Sequence, residues 1–98
     1  MIISNKSILD GYVQNHHEAL RPMNKWLKKI KDATCTTTND LKEMFPTVDY
    51  VGNSHYIFNI GGKRFRLIAV VILASNVLDI RFVGSHADYD KIKNCSET

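Results

Sequence analysis

The stretch FNIGGKRFRL, Phe58 to Leu67, decides how this chain folds. Two alternating runs flank Gly61-Gly62, and glycine reaches positive φ without a steric cost, so the pair predicts a two-residue turn closing an antiparallel hairpin. That turn sets Ile60 opposite Lys63, Phe58 opposite Phe65, Tyr56 opposite Leu67, Asn59 opposite Arg64 and Ile57 opposite Arg66. Side chains alternate across a strand. Tyr56, Phe58, Ile60, Phe65 and Leu67 therefore share one face, and His55, Ile57, Asn59, Arg64 and Arg66 share the other.

Working outward, three strands are expected, at Tyr56–Ile60, Lys63–Leu73 and Val77–Val83, with a weaker one at Val48–Val51; Met1–Ile3 is too short to assign by period, though compatible with an edge strand. A turn centred on Ser75-Asn76 pairs Leu73 with Leu78 and Val70 with Arg81. Leu78, Ile80 and Phe82 then join the core face, and Arg81 joins Arg64 and Arg66. Three guanidinium groups converge there, and the one acidic neighbour, Asp79, falls opposite Ile72. This reads as an anion site, although Lys and Arg on an outer face also discourage edge pairing. Farther along the same face, Ile68, Val70 and Ile72 are apolar, so this half of the sheet needs cover on both sides, from the N-terminal segment or from a partner protein.

The N-terminal half is helical in period. Ile8, Leu9, Tyr12 and Val13 mark one face of a helix over Lys6–His16, with Ser7 or Asn5 as cap. Leu20, Met23, Trp26, Leu27 and Ile30 form the apolar arc of a second helix over Glu18–Asp32, and Arg21, Lys25, Lys28, Lys29 and Asp32 form its outer face. Pro22 belongs in a first turn, which moves the start toward Ala19 or Leu20. The basic face is either solvated or an RNA contact through Lys25, Lys28 and Lys29. A polar connector from Cys35 leads to a short helix, Asn39–Met44, which stops before Pro46. The fold class is α+β, with two N-terminal helices on one face of a small, mainly antiparallel sheet.

At 98 residues the chain supports one modest core, so a single domain over residues 1–98 is expected. With 44% apolar and 23% charged residues it has the composition of a folded globular protein. Thirteen basic against ten acidic residues leave +3, a weak pointer to an anionic partner. No membrane span or secretion signal is present, so the expected location is the cytoplasm. Cys35 and Cys95 lack metal-ligand spacing and read as free thiols; no metal and no cofactor is expected.

After the last strand comes GSHADYDKIK, Gly84 to Lys93. Ser85 caps a short helix with Asp88 as its N3 partner. His86, Tyr89 and Asp90 then lie at i, i+3 and i+4 and project to one side. An imidazole, a phenol and a carboxylate beside arginines suit phosphodiester chemistry; each also has an ordinary structural reading, as a surface histidine, a lid over the sheet and a solvated charge.

The string DLKEMFPTVDYVGNSHYIFNIGGKRFRLIAVV, Asp40 to Val71, followed by IRFVGSHADYDKI, Ile80 to Ile92, resembles the HigB family of bacterial toxins in the RelE superfamily, and the likeness extends into the N-terminal segment. The resemblance implies a RelE-like fold and a ribosome-associated mRNA endoribonuclease (an mRNA interferase) that arrests translation. It also implies chemistry without a metal, in which the RNA 2′-OH attacks the adjacent phosphorus. The implied partners are a cognate HigA-like helix-turn-helix antitoxin and mRNA on the ribosome, with operator DNA reached only through the antitoxin. Carried over by position, Arg64, Arg66, Arg81, His86 and Tyr89 form the catalytic set, with the acid and base roles left open. Lys63, His55, Lys25, Lys28, Lys29 and Asp90 are the further RNA contacts. The competing functions are a non-catalytic RNA or ribosome binder, a ParE-like gyrase poison and a basic protein-docking adaptor.

Overall fold

The computed structural model describes all residues, Met1 to Thr98. In chain order the elements are β1 (Ile2–Ser4), α1 (Lys6–Asn15), α2 (Leu20–Lys31), α3 (Thr38–Met44), β2 (Asp49–Gly52), β3 (His55–Ile60), β4 (Phe65–Ile72), β5 (Val77–Ser85) and α4 (His86–Asp90). The strands form one mixed sheet in the order β1-β5-β4-β3-β2, with β1 parallel to β5 and the remaining pairs antiparallel. The architecture is the expected α+β, and the N-terminal residues, too short to assign by period, form an edge strand, β1. No helix is long and apolar enough to cross a membrane.

Local chemistry sets the helix limits. Thr37 caps α3 by accepting from the Asp40 N–H, and the Asp40 carboxylate accepts from the Thr37 N–H in return. Neither Ser7 nor Asn5 caps α1 through its side chain; Asn5 adopts φ 60° and its amide donates to Asp79 instead. A single 3-10 turn, His17–Ala19, precedes α2, so Pro22 falls in the first helical turn, where its missing N–H costs nothing.

One core lies between the helices and one face of the sheet. Met23, Trp26, Leu27 and Ile30 of α2, Leu9 of α1 and Leu41 of α3 pack with Tyr56, Phe58, Ile60, Phe65, Leu67, Leu78 and Ile80. Each such large side chain contributes about 1.5–3 kcal/mol when fully buried. Leu20, expected in the arc, is exposed instead, at the first residue of α2.

The hairpin register differs from expectation. Gly61 and Gly62 do take positive φ, 64° and 71°. The loop nevertheless spans four residues, Gly61 to Arg64, and pairs Ile60 with Phe65, Phe58 with Leu67 and Asn59 with Arg66. The pairing slips by two residues, which changes partners but not faces. The second hairpin also slips, pairing Ile72 with Val77 and Val70 with Asp79 around a 3-10 turn at Leu73–Ser75. A β-bulge then intervenes. Ala69 pairs with Ile80 and Ile68 with Phe82, so Arg81 is the extra residue. An odd insertion reverses the faces beyond it. Val83 therefore enters the core, and Phe82, expected there, sits opposite Ile68 on the other face.

Part of that other face is covered by the C-terminal segment, while Ile72 at its far end stays exposed. His55, Ile57 and Ile68 are buried although α1, α2 and α3 pack on the opposite side. Asn53 donates to the Ser96 carbonyl at 3.1 Å, and His55 Nε2 lies 3.1 Å from the Thr98 carbonyl, which ties residues 95–98 across β3.

Candidate active site

The end of the sheet where β5 runs into α4 is built by two local devices. Ser85 Oγ accepts from the Asp88 N–H and the Asp88 carboxylate accepts from the Ser85 N–H, each at 3.1 Å, closing a capping box that starts α4. Those bonds hold the Asp88 carboxyl below the usual carboxylate range. Gly84 faces Arg66 across the strands, and a Cβ there would meet the Phe82 ring at 2.6 Å and Asp88 Cβ at 3.0 Å. The missing side chain lets α4 fold down onto the second face of the sheet. The His86 N–H donates to the Arg64 carbonyl at 3.2 Å and fastens α4 to the four-residue turn.

On this floor the Arg66 guanidinium lies 4.4 Å from the centroid of the Tyr89 ring, a cation–π arrangement that orients both groups. Tyr89 meets His86 edge-on at 6.4 Å between centroids, and His86 Nδ1 is 3.3 Å from Asp90 Oδ2. Burial, and then the Cys95 thiol beside it, push the Tyr89 phenol up, while Arg66 works against them. The phenol therefore keeps its proton throughout the neutral range. The ion pairs of the molecule are Lys6–Asp10, Asp79–Arg81 and His86–Asp90, so neither Arg64 nor Arg66 has a carboxylate partner. Arg66 Nε is buried without a hydrogen-bond acceptor. No three His, Cys, Asp or Glu side chains gather as a metal-holding group.

Arg66, His86, Tyr89 and Asp90 are thus brought together as the sequence led one to expect. The other candidates are not. Arg64 stands in the turn instead of the strand, donates to the Glu18 carbonyl at 3.0 Å and lies 5.0 Å from the Phe65 ring centroid, toward the helix side. Arg81, displaced by the bulge, pairs with Asp79 at 2.9 Å. A single basic surface carrying all three arginines does not form. His55 is on the Arg66 face but buried, with Nδ1 at 2.7 Å from the Asn53 carbonyl, and four residues along β3 from the position opposite Arg66, about 13 Å away. Lys63 is exposed on the turn, and Lys25, Lys28 and Lys29 are exposed on the outer face of α2. The Lys29 ammonium bonds the Met44 carbonyl and lies over Phe45.

Two features escaped sequence reading. Tyr12 and His16 stack at 4.0 Å with planes 7° apart, and Tyr12 packs edge-on against Phe65 at 6.1 Å, beside the start of β4. Burial, then the charges of Asp88 and Glu18, raise the Tyr12 phenol. The i, i+4 spacing of Tyr12 and His16 was a usable signal. Cys95 gave none, since only the chain's return across the sheet places it by Tyr89.

A sequence model of the family described as HigB toxin, the RelE-like toxic component of a toxin-antitoxin system, matches residues 19–92. The chain is 42% identical over 53 residues to the mRNA interferase toxin HigB of Escherichia coli K12, covering 51% of this chain and 50% of the relative. It is equally similar to the mRNA interferase HigB of Shigella flexneri. In both cases the match spans about half the length of the relative. A protein called mRNA interferase HigB from Escherichia coli O6:H1 is 22% identical over 94 residues, which cover 94% of this chain and 91% of that protein.

Proposed function

The chain belongs to the HigB family, the RelE-like toxic component of toxin-antitoxin systems, and from that premise we propose that it is an endoribonuclease that cuts mRNA on the ribosome. The observation that carries this reading is the Arg66 guanidinium, unpaired by any carboxylate and stacked at 4.4 Å on a phenol that stays protonated.

In-line cleavage needs a base at the 2′-OH, positive charge at the non-bridging oxygens and an acid at the departing 5′-oxygen. Asp90 facing His86 Nδ1 favours the tautomer with its proton on Nδ1 and leaves Nε2 free to accept the 2′-OH proton. Arg66 holds the phosphate through planar, paired donors that a lysine lacks. Tyr89 donates its proton to the 5′-oxygen as the P–O bond breaks, giving a 2′,3′-cyclic phosphate and a 5′-hydroxyl. Arg64 and Lys63 on the adjoining turn supply charge to the flanking backbone, and Arg81 contributes only at a distance because Asp79 already neutralises it.

The partner is a helix-turn-helix antitoxin whose acidic segment covers the unpaired arginines, and operator DNA is reached only through it. The compartment is the cytoplasm, where ribosomes and mRNA meet. Expressing the chain alone and mapping mRNA 5′ ends tests the reading. Growth arrest with new 5′ ends on translated messages, both lost in Arg66→Ala and both suppressed by the antitoxin, is expected. Arrest accompanied by DNA damage with intact mRNA would overturn it.

A further inference from the structure

A cleft of about 360 Å³ opens between α2 and the β3–β4 turn, lined among others by Lys25, Trp26, Lys29, Phe45, Asn59 and Gly61. Its size falls within the range of about 300–1,000 Å³ typical of small-molecule sites. Two of its residues carry buried polar atoms without partners. Trp26 is 5% exposed and its Nε1–H meets no acceptor, and Asn59 Oδ1 meets no donor although its Nδ2 bonds the Thr47 carbonyl at 3.2 Å. Buried polar groups are ordinarily partnered, so two orphans among the residues of one cleft mark it as a candidate ligand site.

The chemistry around the cleft narrows the ligand. An indole offers a donor only and a carboxamide oxygen an acceptor only, so the occupant presents one of each, as the edge of a nucleobase does. Lys25 and Lys29 have no carboxylate partner, and a phosphate satisfies them by charge. Position decides between RNA and an acidic peptide. Asn59 is the direct cross-strand neighbour of Arg66, with Cβ atoms of such pairs about 4.5–5.5 Å apart. The pairing of β2 with β3 begins at Asp49 and Ile57, so Asn59 lies beyond the paired stretch, at the end of β3 that borders the cleft.

We propose that this cleft is a nucleotide subsite, holding the base and phosphate of the residue next to the scissile one; the assignment rests on the endoribonuclease reading above. Lys29 follows Trp26 by one helical turn, so its stem lies beside the indole. Its ammonium now rests on the Met44 carbonyl and over Phe45. An incoming phosphate offers that ammonium a charged acceptor in place of the carbonyl.

The chain has a single tryptophan, so its indole N–H resonance reports this cleft alone. The probe is a pentaribonucleotide with one 2′-deoxy sugar at the cleavage position, titrated into ¹⁵N-labelled protein. A saturable shift of the indole peak is expected. Asn59→Ala should weaken binding about fivefold, and Lys25→Ala, on the exposed surface, should weaken it and lower the salt slope by about 0.7. RNA binding that moves the His86 and Arg66 amides while the indole peak stays still would overturn the subsite. So would an indole shift produced by a Glu-Leu peptide and not by RNA. An indole shift with RNA, combined with no cleavage of a programmed mRNA on excess ribosomes, would support the subsite and sink the endoribonuclease reading instead.

Discussion

Replacing Tyr89 separates two things that one side chain does. Its ring sits 4.4 Å from the Arg66 guanidinium carbon, and its hydroxyl keeps its proton because burial and Cys95 outweigh Arg66. A cation–π contact is worth about 0.5–2 kcal/mol depending on solvation, which is about 2- to 30-fold in a rate that depends on Arg66 being in place. A general acid is worth about 10²–10⁴-fold. Tyr89→Phe keeps the ring and removes the proton, so it should lose about 10² or more in single-turnover cleavage of a programmed mRNA on excess ribosomes, with binding unchanged. Tyr89→Leu removes both and should lose a further 2- to 30-fold. Full activity in Tyr89→Phe with a loss in Tyr89→Leu would refute the proton-donor role and leave Tyr89 as the support of Arg66.

Other substitutions probe the rest of the site. His86→Gln should retain RNA binding and lower the same single-turnover rate about 10²- to 10⁴-fold, whereas Asp90→Asn, which disturbs only the partner of Nδ1, should cost less in the same assay. Gly84→Ala pushes the Phe82 ring and the Asp88 turn apart; urea unfolding should show about 1–3 kcal/mol of destabilisation, with activity falling further because α4 moves off Arg66. Asp40 and Asp88 have carboxyls lowered from 3.8 by their caps, so their contribution is complete above the unfolded value and disappears as pH falls through the lower folded value. The double variant Asp40→Asn, Asp88→Asn should accordingly show a shallower fall of Tm between about pH 5 and pH 2 than the parent.

The fold was readable because its main signals are periods. Alternation places Tyr56, Phe58, Phe65 and Leu67 in the core even though the hairpin partners differ from those the turns predict, because each slip is of two residues and parity survives up to the bulge. The Gly-Gly pair gave the correct backbone signs but not the loop length. Gly61 abuts Pro22, with a hypothetical Cβ at 3.2 Å, and Arg64 bonds the Glu18 carbonyl. Those contacts with the start of α2 hold Lys63 and Arg64 in the turn, and nothing local in GGKRFR encodes them.

The bulge at Arg81 is the point where period-based reasoning fails in kind. One extra residue sent Phe82 to the outer face, Val83 to the core and Arg81 to Asp79, so an inference that every second residue shares a face was right before the bulge and inverted after it. The inversion also creates the site. Beyond the bulge Gly84 falls opposite Arg66, and a residue without Cβ is what allows α4 to descend and set Tyr89 on that arginine. The i, i+3, i+4 grouping of His86, Tyr89 and Asp90 was legible because a helix fixes it locally. Which of three arginines it would meet depended on a register irregularity more than ten residues away from that arginine in sequence, and on a C-terminal segment whose cover over His55 and Ile57 leaves Arg66, at the other end of the same face, as the cation the helix can reach.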